Sequence, residues 1–107
     1  MNDLPDEKQV GAALQYMADT DAPCAKLTAR VKALEFQCKT IRALEYLDAT
    51  GTVAERDALS YASKVFRAFT EDYENAVAEH ETIKARRKRA ELTIEVWRSL
   101  NANRRQG

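Results

Sequence analysis

Residues 59–97 read LSYASKVFRAFTEDYENAVAEHETIKARRKRAELTIEVW, and this stretch decides the fold. Within it Leu59, Ala62, Phe66, Phe69, Tyr73, Ala76, His80, Ile83, Arg87, Ala90, Ile94 and Trp97 alternate spacings of three and four without a slip. That rhythm keeps one edge of an α-helix turned to one side, and holding it this long is the signature of a heptad seam. Neither glycine nor proline falls between Thr52 and Gly107. The pattern therefore predicts one continuous helix over about 53–101, roughly 70 Å long at 1.5 Å per residue.

Just upstream, Thr52-Val53-Ala54-Glu55 has the form of a capping box, which starts a helix. Gly51 can take the left-handed position that ends the helix before it. So short a junction predicts an antiparallel hairpin. The preceding stripe of Leu27, Val31, Leu34, Cys38 and Ile41, continued by Leu44 and Leu47, places a helix over about 23–49. Asp19-Thr20-Asp21-Ala22-Pro23 reads as a break with capping residues. Before the break, Pro5, Asp6 and Glu7 suit a helix N-terminus, and Val10, Ala13, Leu14 and Met17 repeat on one face. This predicts a first helix over about 5–18.

The expected fold is thus a single all-α domain: a helical hairpin with a long heptad-patterned third helix, forming an oligomer. The second helix is about half the length of the third and can cover only the start of the seam. Ile83, Ala90, Ile94 and Trp97 then need another surface. The first helix can supply part of it, and a second copy of the chain is the expected supplier of the rest.

Composition agrees. Of 107 residues, 45% are apolar but only 7% aromatic, which suits long helices more than a large mixed core. Lys plus Arg and Asp plus Glu both number 17, so the formal net charge is zero and global charge selects no partner class. The acidic start lacks the apolar core of a signal peptide, and no apolar run is long enough to span a bilayer. The expectation is a cytoplasmic protein without a membrane partner. Cys24 and Cys38 are too far apart on one helix to bridge, about 21 Å along its axis, and they lack zinc-site spacing. They read as two small buried hydrophobes in a reducing compartment.

Little in the chain suggests catalysis. His80 is the one histidine and falls on the seam, where packing is its natural role. No carboxylate pair, glycine-rich phosphate loop or metal-ligand cluster is visible. The chain is expected not to be an enzyme and to need no cofactor or metal.

Charge is segregated locally. Glu71, Asp72, Glu74, Glu79 and Glu81 form an acidic block, and Lys84, Arg86, Arg87, Lys88 and Arg89 follow as a basic one. At 100° per residue the five bases point all around the helix. The two blocks can pair between chains and set their register, or the bases can ring an oligomer with phosphate contacts. A second candidate lies opposite the apolar stripe of the 23–49 helix, where Lys32, Phe36, Lys39, Arg42 and Tyr46 share an arc with Glu35. Cations alternating with exposed rings are what a sequence-tolerant single-strand binder uses. The structural alternative is that the rings pack on a neighbouring helix while the lysine stems lie along it.

Arg42-Ala43-Leu44-Glu45-Tyr46-Leu47, followed by the turn at Gly51, resembles the basic, Leu-acid-aromatic, glycine segment of the phage UvsY family of recombination mediators. Ala78 to Arg86, with Ile83-Lys84-Ala85-Arg86, is similar to the alanine, isoleucine, lysine and arginine run in that family's late helix. The resemblance spans about Leu27 to Asn101. The family has two bases just before its leucine, where this chain has Arg42 with Lys39 a turn earlier, and this chain is shorter. The resemblance implies a helical homo-oligomer that binds single-stranded DNA and helps load a recombinase onto strands coated by a single-strand-binding protein. Lys32, Lys39 and Arg42 would hold phosphates, Phe36 and Tyr46 would stack, and Lys84, Arg86, Arg87, Lys88 and Arg89 would add attraction. The alternative function is a structural or adaptor protein, a phage assembly or host-interaction factor, whose charge blocks serve only self-association.

Overall fold

The computed structural model describes residues 4–106, and all regular structure among them is helical: α1 (Glu7–Asp48), α2 (Val53–Ala62) and α3 (Lys64–Gln106). The chain divides into two compact units. One holds the segments up to Ala25 and from Glu81 onward, and the other is Lys26–His80. In each, a part of α1 packs antiparallel to a part of α3. None of the helices is long and apolar enough to cross a membrane.

α1 begins with a reciprocal cap. The Gln9 amide donates to Asp6 Oδ1 at 2.8 Å, and the Asp6 amide donates to Gln9 Oε1 at 2.9 Å. This satisfies two donors that a helix start leaves without intrahelical partners.

The expected break at Asp19–Pro23 does not exist. α1 runs from Glu7 to Asp48 with Pro23 inside it. An interior proline removes one ladder bond and crowds the carbonyl four residues back. The heptad phase explains why the helix survives. Val10, Ala13, Met17, Thr20, Cys24, Leu27, Val31, Leu34, Cys38 and Ile41 keep the three-four alternation straight through Pro23, and each of them is buried or half-buried while Pro23 faces solvent. Two separate helices at this point would lose that common edge. The apolar stripe also ends sooner than expected. After Ile41 the inward position passes to Glu45, leaving Leu44 and Leu47 exposed.

The expected helix over 53–101 is interrupted once, at Ser63, whose extended backbone (φ −62°, ψ 144°) separates α2 from α3. Its hydroxyl accepts from the Phe66 amide at 3.1 Å, so it caps α3. A serine can break a helix this way because its side chain replaces a ladder bond. Leu59 and Ala62 therefore leave the seam and stay exposed. From Phe66 to Trp97 every seam residue is buried or half-buried. His80 belongs to this edge, with Nε2 2.8 Å from the Thr28 hydroxyl of α1. Cys24 and Cys38 are not joined in a disulfide, and both are half-buried rather than buried.

Ile83, Ala90, Ile94 and Trp97 find cover within the chain to different degrees. Ala90 is buried within the single chain and the other three are half-buried. The start of α1, with Val10 and Ala13 buried in the same unit, supplies part of the surface that covers this edge. Residues 7–25 do so because they are continuous with the rest of α1.

The turn into α2 follows the expected chemistry. Gly51 has φ +120°, and a Cβ there would meet the Glu55 carboxylate at 2.6 Å. The Thr52 hydroxyl accepts from the Glu55 amide at 3.2 Å. Thr52→Ala should cost about 1 kcal/mol, as loss of an N-cap oxygen does, visible as a small fall in the urea midpoint. No change would mean that α2 holds its place without its cap.

Candidate nucleic-acid interface

The residues singled out in the sequence fall into three groups. In the Lys26–His80 unit, Arg42 and Tyr46 are engaged in holding α2. Arg42 Nη1 lies 2.9 Å from Asp57 Oδ1, and its guanidinium sits 4.4 Å from the centre of the Tyr61 ring. Tyr46 carries the Arg56 guanidinium over its face at 4.5 Å, while Arg56 Nε donates to the Tyr46 carbonyl at 3.3 Å. Tyr61 meets Phe66 edge to face, with centroids 5.7 Å apart. These contacts are partly exposed and individually weak, of order 1 kcal/mol or less each. Together they explain how α2 stays in place although Val53, Leu59 and Tyr61 are exposed. The residues α2 hides include Ser60, fully buried, whose hydroxyl donates to the Asp57 carbonyl at 2.7 Å.

Lys32, Phe36 and Lys39 stay together on the outer face of α1, all exposed. Phe36 is 72% exposed.

The basic block of α3 divides. Arg87 turns inward, with its side chain only 20% exposed. Its Nη1 donates to the Met17 carbonyl at 2.9 Å and to the Thr20 hydroxyl at 2.7 Å, and Nη2 reaches Asp21 Oδ1 at 2.7 Å. It thus clamps the turn of α1 just before Pro23 and is spent on structure. Lys84 pairs with Glu81 at 3.0 Å and Lys88 with Glu91 at 3.7 Å, both at the surface.

Arg86 and Arg89 behave differently. They line an open groove of about 680 Å³ between α1 and α3 in the unit that starts the chain. Ala13 and Ala90, both buried, line it, and their small side chains leave room for a depression along the seam. Pro5, just before α1, and Gln9, Ala12 and Tyr16 of α1 border it on one side, and Leu92, Thr93 and Val96 of α3 on the other. Its lining includes two guanidiniums and no carboxylate. Tyr16, half-buried on its wall, is a residue that sequence reasoning passed over. Its spacing from Ala13 and Thr20 would have placed it beside the seam had the helix been read through Pro23.

No protein-family model matches this chain, and neither does any curated protein or solved structure.

Proposed function

We propose that the protein is a non-enzymatic binder of single-stranded DNA that acts as a recombination mediator, helping a recombinase load onto strands held by a single-strand-binding protein. The observation that carries this reading is the groove bounded by Arg86, Arg89 and Tyr16. Two guanidiniums on one lip attract a phosphate backbone, and an accessible ring with apolar neighbours gives bases a surface to stack on without reading their sequence. The resemblance to UvsY proteins supplies the biological setting. Lys84 and Lys88 add attraction from exposed positions, whereas Arg87, Arg42 and Tyr46 serve the fold. Lys32 and Lys39 contribute only at longer range. Several copies acting together would raise the avidity of a weak individual site.

Fluorescence anisotropy with a labelled oligothymidine at low salt tests it. Binding should fall steeply with salt, and Arg86→Glu with Arg89→Glu should abolish it. The milder Arg86→Gln with Arg89→Gln should lower the slope of log affinity against log salt by about 1.4, two single-strand phosphate contacts' worth. An unbound oligonucleotide at low salt, or a slope unmoved by either pair, would reject the DNA reading. An adaptor function is the second reading, favoured by the exposed apolar residues of α1.

A further inference from the structure

The outer side of α1 carries a second heptad pattern, within Lys26–His80. Ala29, Ala33, Phe36, Thr40, Ala43 and Leu47 follow one another at spacings of four, three, four, three and four. Each lies two residues after a seam residue, so the stripe points about 200° away from the seam at 100° per residue. All six are exposed, Phe36 at 72% and Leu47 at 70%. Leu44, at its border, is 55% exposed. The stripe runs about 27 Å at 1.5 Å per residue, a length over which helices pack knobs into holes. Exposed apolar surface in such an ordered strip marks an interaction face.

Its edges give the occupant's charge. Bases outnumber acids beside the strip: Lys26, Arg30, Lys32 and Lys39 are all exposed there, against Glu35. Edge charges of one sign select a partner helix with edges of the other sign. The same unit has such a helix surface. On the side of α3 away from its seam lie Glu71 and Glu74, with Ala78 one turn further on, all exposed. Height along the helices matches too. Thr28 faces His80 across the antiparallel pair. Counting from that contact, Lys32 and Lys39 lie level with the stretch from about Ala76 to Phe69. A second molecule set alongside in the same orientation therefore brings Glu71 and Glu74 to a height between Lys32 and Lys39, level with Phe36, and its Ala78 level with Arg30.

We propose that the outer stripe of α1 is the docking surface for a second copy of this chain, which presents the acidic outer face of its α3 around Glu71, Glu74 and Ala78. The two surfaces lie on opposite sides of the α1–α3 pair. The contact is therefore heterologous, and repetition yields a closed ring or an open array rather than a two-fold dimer. Phe36 acts as the central apolar knob rather than as a base-stacking ring. Ile83, Ala90, Ile94 and Trp97 take no part.

Charge exchange tests this without nucleic acid. Sedimentation of the full chain at tens of micromolar should show an assembly that weakens as salt rises. Lys32→Glu with Lys39→Glu, and separately Glu71→Lys with Glu74→Lys, should each give monomers of unchanged helicity. Mixing the two variants should restore the assembly, because each reversed face then meets its complement. Phe36→Ala should lower association at least tenfold while its circular dichroism stays that of the wild type. A monomeric wild type, a charge variant that assembles as before, or a mixture that stays monomeric would each overturn the proposal. A failure here leaves the oligonucleotide measurement untouched, so the two ideas fall separately.

Discussion

Arg87→Ala is expected to lower the unfolding free energy by about 2–3 kcal/mol, because a half-hidden, charge-assisted donor set is lost at once. In a chain of this size that corresponds to a drop in melting temperature of roughly 10–20 °C. The guanidinium reaches a backbone carbonyl, a hydroxyl and a carboxylate on one turn of α1. The carboxylate contributes the least. Asp21 has a side chain 69% exposed, against 20% for Arg87, so water screens its share of the attraction. Asp21→Ala should therefore cost under about 1 kcal/mol. Arg87→Lys should fall nearer to the alanine variant, since a single ammonium cannot span the three acceptors as a planar fork does. Urea unfolding of the three variants checks the order. If Asp21→Ala proves as damaging as Arg87→Ala, the clamp is a simple ion pair and the carbonyl and hydroxyl are incidental.

Pro23→Ala is expected to stabilise the protein by about 2 kcal/mol, an unusual direction for a single substitution. A proline inside a helix is about 3 kcal/mol worse than alanine. Its restriction of the unfolded chain returns up to about 1 kcal/mol of that. Pro23 faces solvent, so alanine sacrifices little packing. The helix nonetheless passes through it, because seam residues before and after it share one buried edge. Arg87 braces the same turn, so the two substitutions should not be additive. In Pro23→Ala the loss on removing Arg87 should shrink, since the ladder of α1 is then whole. A lower melting temperature for Pro23→Ala would show instead that the proline bends α1 to fit α3.

The position of Arg87 also bears on the reading of its neighbours. Five consecutive-looking bases suggested a single electrostatic feature, yet they separate by angle. Arg87 lies on the seam and is drawn into the fold, while Arg86 and Arg89 fall on the groove beside it. Heptad position alone distinguishes them. The same rule applied to Arg42 would not have sufficed. Its partners Asp57 and Tyr61 belong to α2, whose direction depends on the break at Ser63.

By itself, the sequence determined the helical class, the seam from Phe66 to Trp97, and the glycine and threonine of the turn at Gly51. All of these follow from periodicity or from local backbone demands, which a chain carries wherever it goes. The tertiary structure alone decided which internal breaks the helices have. Pro23 is a strong local breaker and Ser63 a weak one, but the helix continues through the first and ends at the second. A shared buried edge outweighs one missing hydrogen bond, whereas at Ser63 the arginine–tyrosine contacts of α2 favour a change of direction. The site followed the same division. Exposed Phe36 and its lysines were legible on the helix surface, but the groove of Tyr16, Arg86 and Arg89 exists only because two distant segments of chain are packed side by side.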